Sequence, residues 1–189
     1  MSDGALFSNL TALEKMGYVV TPIDVEKVFE RCVIVDANKK LPFKDNRFDL
    51  IWCSEVIEHL ANPVFTANEF RRVLKPGGKM VLTTPNSYFW LMKPFHWFGL
   101  SPQKLQRKDH TQFFHEKDIR RIFPNAAIYG FFPYMLVKVT IDKLLGPLTP
   151  TFVISERKLV MRELAAPTPT SSPAGKAPRR GESIFFSCC

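Results

Sequence analysis

The chain has 189 residues, of which 46% are apolar and 23% are charged, with a formal net charge of +8. This balance is typical of one globular domain and excludes a fibrous or wholly disordered protein. No apolar stretch reads as a transmembrane helix or a signal peptide, because charged residues and prolines interrupt each one. Four cysteines without CxxC spacing predict neither a disulfide framework nor a zinc knuckle, so the expected location is the reducing cytoplasm.

The basic residues are scattered, and part of the excess lies in a Pro- and Ser-rich segment near the C-terminus. A diffuse positive charge favours non-specific attraction without defining a recognition surface. We therefore do not expect nucleic acid to be the partner of this protein.

The first half of the chain alternates helical and extended patterns. Leucines at helical spacing predict a helix that ends before Gly17. Tyr18 to Asp24 reads as a strand, and a short helix over 25–31 leads to a second strand that ends at Asp36. A third strand, FDLIWC, follows a turn and is almost wholly apolar.

A helix is predicted from Asn62 to Leu74, closed by the sequence KPGG and followed by the strand KMVLTT. Its inward residues are expected to be Phe65, Phe70, Val73 and Leu74. Residues 85–112 form an aromatic-rich insertion, and HEKDIRRIF predicts another amphipathic helix.

AAIYGFF and TFVISERKLVM predict two late strands, which we expect to form an antiparallel pair at a sheet edge. The composition predicts a single domain over residues 1–164 and a disordered Pro- and Ser-rich tail over 165–189. Short, continuously apolar strands between helices predict an α/β fold, doubly wound around a mainly parallel sheet.

Polar or small residues follow three of the predicted strands, and parallel sheets bind ligands at their carboxyl ends. Asp24 can accept hydrogen bonds from vicinal hydroxyls. Asp36 can accept from an exocyclic amine, while the N–H of Ala37 meets a ring nitrogen. Cys53 and Ser54 are small enough for a ligand to approach the backbone. A single strand-end Asp is more often a turn or cap residue, but two at consecutive strand ends favour a nucleoside site.

The segments DANKKLPFKDNRFDLIWCSEVIEHLANP and EFRRVLKPGGKMVLTTPN resemble class I S-adenosylmethionine-dependent methyltransferases of type 11, the ubiquinone-biosynthesis-like branch. The resemblance runs from about Gly4 to Phe132. It implies a Rossmann-like methyltransferase fold, S-adenosyl-L-methionine as cofactor and a small molecule as methyl acceptor. It also implies that Asp24, with Val25 beside it, holds the ribose, that Asp36 and Ala37 hold the adenine, and that Cys53 and Ser54 line the methionine arm.

The beginning of the sequence departs from that family. The family's first strand runs into a glycine-rich loop, and here only Asp3 and Gly4 match the end of such a loop. The resemblance places the absent strand between those that end at Asp24 and Cys53. A sheet without it exposes unpaired backbone, unless another segment fills the gap. The alternative function is therefore a non-catalytic methyltransferase remnant that acts as an interaction module.

Glu55, Glu58 and His59 are spaced i, i+3 and i+4, which would place them on one face of a helical turn. Two carboxylates and an imidazole suit Mg²⁺ or Zn²⁺, and this spacing resembles the metal site of ubiquinone-pathway O-methyltransferases. The alternative is a helix start that caps and packs without metal.

Two further sets of residues keep two interpretations each. His110 and His115 are either substrate-side bases or, more commonly, residues that cap or pack the following helix. The aromatic insertion is either a lid that touches an apolar acceptor or a membrane surface, or a packed cover over the sheet. Its aromatic residues are Tyr88, Phe89, Trp90, Phe95, Trp97 and Phe98.

Overall fold

The computed structural model describes residues 3–27, 29–86, 112–132, 139–141, 149–160 and 181–187. Its helices are α1 (Asp3–Lys15), a short 3-10 helix (Ile57–His59), α2 (Pro63–Val73) and α3 (Glu116–Ile122). Its strands are β1 (Val19–Asp24), β2 (Val33–Ile34), β3 (Phe48–Ser54), β4 (Leu74–Pro85), β5 (Ala127–Phe132), β6 (Val139–Ile141), β7 (Thr151–Arg157) and β8 (Glu182–Ser187). Among these elements, no helix combines the length and apolarity needed to cross a membrane.

The strands form one mixed sheet in the order β2-β1-β8-β3-β4-β7-β5-β6. The five strands from β2 to β4 are parallel, whereas β7 runs antiparallel to both β4 and β5. This arrangement confirms the predicted doubly wound fold with an antiparallel pair near one edge. The short strand β6 extends that edge beyond the predicted pair.

Strand β8 occupies the position that the sequence left empty. It lies between β1 and β3 and pairs in parallel with both. Glu182–Ser187 belong to the segment for which composition predicts disorder, yet they form a central strand. The consecutive apolar residues Ile184, Phe185 and Phe186 are a local signal for a buried strand, although they follow a Pro-rich sequence that favours disorder.

Two helices show how the sequence defines element ends. Helix α1 ends at Lys15, before Gly17, as predicted. Gly17 has a φ of 91°, a backbone conformation that is costly for other residues. The side-chain oxygen of Asn62 caps α2 by accepting from the N–H of Phe65 at 3.0 Å, and Pro63 occupies the first turn.

Three local predictions were wrong. The described residues within 25–31 form turns and bends, and no helix. The sequence KPGG lies inside β4, where the register with β3 jumps from Phe48–Leu74 to Leu50–Lys79. Phe65 faces solvent, because it lies on the opposite side of α2 from the buried Phe70.

The sheet has two unlike faces. The α2 face, which α2 and α3 cover, carries a large core that includes Ile51, Cys53, Phe70, Leu82 and Ile154. The α1 face carries a small cluster of Leu10, Leu13 and Leu50, with half-buried Val20, Trp52 and Val81 around it. Successive residues of β3 alternate between the two faces, as expected for a strand that is covered on both sides.

Candidate active site

The strand order reverses at the centre of the sheet, which is where doubly wound folds bind ligands. From β8, the chain order places β1 and β2 on one side and β3 and β4 on the other. Because these strands are parallel, their carboxyl ends lie along one edge of the sheet. Asp24, Ser54 and Ser187 end β1, β3 and β8 at this edge, and Asp36 follows β2.

Asp24 is a buried carboxylate, with 8% of the residue exposed. Its Oδ1 accepts from the N–H of Val25 at 2.6 Å and of Glu26 at 3.3 Å. Its backbone oxygen accepts from Val35 N at 2.9 Å, which ties β1 to the chain just beyond β2. These bonds fix the carboxylate at the strand end, next to Val25.

Asp36 is more exposed and is held within its own turn. Its Oδ1 accepts from the backbone N–H of Asn38 at 2.9 Å and from the Asn38 side chain at 3.1 Å. The backbone hydrogen bond from Asn38 is the main cause that lowers the pKa of Asp36, and Lys39 at 3.4 Å adds to it. Asp36 therefore presents an ionised, acceptor-only group at neutral pH.

Ala37 is buried and is fixed from α2. Its carbonyl accepts from Thr66 Oγ1 at 2.8 Å. Asn38 also contributes to this anchorage, because its Oδ1 accepts from Ala61 N at 2.7 Å. The turn that carries Asp36 is thus attached both to the first half of α2 and to the segment that precedes this helix.

The end of β3 combines a core residue with a polar one. The Cys53 side chain is wholly buried in the α2-face core, so only its backbone borders the site. Ser54 Oγ lies 3.1 Å from Thr83 Oγ1 on β4. Both side chains are thus engaged with the sheet, and the role of Cys53 and Ser54 beside a ligand stays a prediction.

Glu55 follows in a strained conformation, with φ of 54°. This left-handed geometry is uncommon outside glycine and asparagine and often marks a functional turn. Burial raises the pKa of its carboxyl, and a hydrogen bond with the Thr83 side chain and the nearby charge of His59 oppose that rise. Glu55 therefore keeps a proton to a higher pH than an exposed glutamate.

The structure does not assemble the predicted metal site. Glu55 lies outside the 3-10 helix that contains Glu58 and His59, so the three residues do not share a helical face. Glu58 is 1% exposed, and its Oε2 accepts from Thr84 Oγ1 at 3.0 Å. Across the described ranges, no group of three His, Cys, Asp or Glu side chains is placed to hold a metal ion.

Asp3 and Gly4 are the first two residues of α1. They belong to a helix, whereas the sequence predicts a loop end at this point. The carboxyl end of β8, where a glycine-rich loop would follow the central strand, has the sequence Ser187-Cys188-Cys189.

His115 caps a helix, as the more common interpretation predicts. Its side chain accepts from the backbone of Asp118, and its own N–H donates to Asp118 Oδ2 at 3.0 Å. His110 and the six aromatic residues of the insertion lie outside the described residues.

Sequence reasoning missed the ion pair of Glu69 and Arg72, which holds the loop over residues 41–45, here called the LPF loop. Arg72 donates to the carbonyl oxygens of Leu41 at 3.0 Å and Phe43 at 2.8 Å, and to Asp45 Oδ1 at 2.6 Å. Glu69 binds the same arginine at 2.7 Å and accepts from Leu41 N at 2.9 Å. The i, i+3 spacing of Glu69 and Arg72 indicates an ion pair within a helix. No local pattern in the sequence indicates that this pair binds the LPF loop.

The sequence and the fold of this chain are similar to those of known methyltransferases. Residues 5–82 match a family model described as a methyltransferase domain. The chain is 28% identical over 137 residues to a ubiquinone biosynthesis O-methyltransferase of Coxiella burnetii, covering 61% of this chain and 56% of that protein. It is 37% identical over 67 residues to a 2-methyl-6-phytyl-1,4-hydroquinone methyltransferase of Synechocystis sp., covering 35% and 20% respectively.

A solved structure of an S-adenosylmethionine-dependent methyltransferase from Archaeoglobus fulgidus superposes with a TM-score of 0.56 at 14% identity, covering 83% of this chain and 95% of that one. This likeness shows the fold. The chain spans 56% and 20% of the lengths of the two curated relatives. Residues 5–82 are therefore similar in sequence to a methyltransferase domain, and the sheet has the same fold as the Archaeoglobus fulgidus structure.

Proposed function

We propose that this chain is an S-adenosylmethionine-dependent methyltransferase that acts on a small-molecule acceptor. The observation that carries the proposal is the placement of Asp24 and Asp36 at the carboxyl ends of adjacent parallel strands, beside the point where the strand order reverses. The match of residues 5–82 to a methyltransferase domain supports it.

The chemistry of the donor set fits the nucleoside part of the cofactor. Asp24 and Val25 would hold the ribose, since an ionised carboxylate accepts from both of its hydroxyls. Asp36 would accept from the adenine amine, with the backbone of Ala37 beside the ring. Ser54 and the backbone of Cys53 would border the methionine arm, and Asp3 and Gly4 contribute the first turn of α1.

When bound, S-adenosylmethionine supplies an already activated methyl group on a sulfonium. The residues of this chain then have to orient the cofactor and exclude water, and a strong base is not required. Orientation comes from the two anchored carboxylates, whose positions the Val25, Glu26 and Asn38 amides fix. We assign no residue as catalytic.

The test is calorimetric titration of the purified chain with S-adenosylhomocysteine. We expect Asp24→Asn to weaken binding by about tenfold or more, because it replaces a charged acceptor that makes two hydrogen bonds. Glu30→Gln, in the same β1–β2 connection and exposed, is the matched control and should bind like the wild type. A folded sample that shows no binding, or equal binding by Asp24→Asn, would contradict the proposal. The first of these results would favour the non-catalytic remnant.

The acceptor class and location are the finer parts of the proposal. The names of the two curated relatives support a small organic acceptor, which fits the absence of any element typical of nucleic-acid recognition in the described part of the chain. A cytoplasmic location is supported by Cys32 and Cys53, which form no disulfide in the described part of the chain. Contact of the aromatic insertion with a membrane rests on its composition.

A further inference from the structure

We propose that Glu182–Ser187 is an exchangeable strand, and that the slot between β1 and β3 accepts the same sequence when it is supplied as a separate peptide. The slot is defined by the facing edges of Val19–Ile23 and Leu50–Ser54. This inference concerns how the sheet is completed and does not depend on the proposed function.

The slot takes one parallel strand and bonds to it on both sides. Val19–Ile23 pair with Glu182–Phe186, and Leu50–Ser54 pair with Ser183–Ser187. Strands β1 and β3 make no ladder with each other. Without β8, each would therefore expose a row of backbone donors and acceptors at the centre of the sheet. A strand added there forms hydrogen bonds on both of its sides.

A group of polar contacts, here called the clasp, holds Gly181 and Glu182 at the start of β8. The carbonyl oxygen of Gly181 accepts from Val19 N at 2.8 Å, and Glu182 N donates to Asp49 Oδ2 at 2.9 Å. The same Asp49 oxygen binds Lys75 Nζ at 2.8 Å, and Arg47 Nε lies 3.2 Å from Glu182 Oε2. The contacts to the incoming strand come from β1, from β3 and from Arg47 just before β3, and Lys75 of β4 supports Asp49. The clasp therefore recognises the start of the incoming strand independently of its connection to β7.

The backbone at Gly181 lies close to its neighbours, with little room for a side chain. A Cβ at this position would lie 3.1 Å from Tyr18 Cε1 and 3.2 Å from Asp49 Cβ, which is closer than ordinary side-chain contacts. The glycine also fixes the register, since it places Ser183 between Val20 and Leu50. A slip by one residue would turn Glu182 toward the interior, at the cost of burying its charge.

Residues outside β8 pack extensively with one another. The α2-face core joins α2, α3 and strands on both sides of the slot, including Ile23 of β1, Ile51 of β3 and Ile154 of β7. We expect an acceptor with this much packing outside the exchanged strand to stay folded while that strand is out, in the manner of a local opening.

The experiment is hydrogen exchange, read by mass spectrometry, on the full chain with Gly181→Val. We expect amide protection in residues 19–23 and 50–54 to fall by about tenfold or more, while α2, residues 63–73, stays protected. A synthetic peptide of residues 180–187, added in excess, should restore the lost protection. The same peptide with Gly181→Val should not restore it. Gly175→Val, the same substitution earlier in the connecting segment, is the matched control and should exchange like the wild type.

Two results would overturn the proposal. Unchanged protection in Gly181→Val would mean that the glycine does not seat the strand. Lost protection that the wild-type peptide fails to restore would mean that the strand is not exchangeable. If α2 also loses protection, the wild-type chain is incubated with the fluorescein-labelled peptide: selective uptake over the Gly181→Val peptide supports exchange, and equal or absent uptake refutes it. Backbone exchange needs no cofactor, so failure here is distinct from failure of the methyltransferase proposal.

Discussion

The two faces of the sheet differ in how many of their described side chains are wholly buried. On the α2 face, side chains from α2, α3 and five strands form one continuous buried cluster. On the α1 face, the described residues form a cluster with only three fully buried members, Leu10, Leu13 and Leu50. Two buried polar atoms on the α1 face, Trp52 Nε1 and Ser183 Oγ, have no partner among the described residues, whereas Glu69 of α2 is bonded to Leu41 and Arg72.

On the α2 face, β3, α2 and β4 follow one another along the chain, and residues of β1, α3, β5 and β7 complete the core. On the α1 face, Leu50 of β3 lies beside Ser183 of β8, which joins the sheet from the far end of the described sequence. Because more of the described side chains are wholly buried on the α2 face, we expect core substitutions there to cost more free energy of unfolding than equivalent substitutions on the α1 face.

The largest effect is expected from a matched pair of leucines on adjacent strands. Leu82 on β4 is wholly buried on the α2 face, and Leu50 on β3 is 7% exposed on the α1 face. Leu82→Ala should lower the free energy of unfolding by about 4–5 kcal/mol, since a tightly packed site collapses poorly around a cavity. Leu50→Ala should cost about 2–3 kcal/mol, because its surroundings are less completely packed. Urea denaturation of both variants measures the difference.

Equal losses for the two variants, with unchanged m-values, would show that the α1 face is as well packed as the α2 face. A change in the m-value of Leu50→Ala alone would instead point to loss of β8, because less surface would then be exposed on unfolding.

Much of the α2 face could be predicted from the sequence, because its signals are local. The apolar run FDLIWC predicts β3, and Asn62-Pro63 predicts the start of α2. The predicted strand ends place Asp24 at the end of β1 and Asp36 shortly after β2. These patterns reflect burial and capping within a few residues of chain.

What the sequence did not predict depends on distant contacts. The place of Glu182–Ser187 in the sheet is set by backbone edges more than a hundred residues away, and no local pattern encodes that pairing. The left-handed Glu55 broke the helical face assumed for the metal site, because helical spacing carries no information on where a helix begins. In the sequence, Arg72 is indistinguishable from an exposed charged residue, and only the folded chain brings the carbonyl oxygens of Leu41 and Phe43 to it.

A smaller and pH-dependent effect is expected on the α2 side from Glu69→Gln. The hydrogen bonds from Arg72 are the largest cause that lowers the pKa of Glu69, so its ionised form stabilises the fold. That stabilisation is present above the ordinary glutamate pKa of 4.5 and is lost as pH falls through the lowered folded value. At pH 7 the variant should be less stable by about 1–3 kcal/mol, the cost of weakening hydrogen bonds to a charged group.

The melting temperatures of wild type and Glu69→Gln, followed from pH 7 to pH 3, measure this effect. The difference should narrow in acid, as the wild-type carboxyl gains its proton. The exposed variant Glu30→Gln should show no such narrowing. A constant difference over the whole range would mean that the charge of Glu69 is not what stabilises the LPF loop.

The smallest effect is expected on the α1 side from Ser183→Ala. Ser183 is wholly buried between Val20 and Leu50, and its Oγ has no hydrogen-bond partner in the part of the chain that the structure describes. Removing an unsatisfied hydroxyl loses no bond and ends its desolvation cost, so stability should stay equal or rise by up to about 1 kcal/mol. Thermal unfolding compares this variant with Ser155→Ala, a half-buried serine on β7, which should change little. A loss of more than about 1 kcal/mol for Ser183→Ala alone would show that the hydroxyl is bonded in solution, and that the α1 face is better satisfied than its cluster suggests.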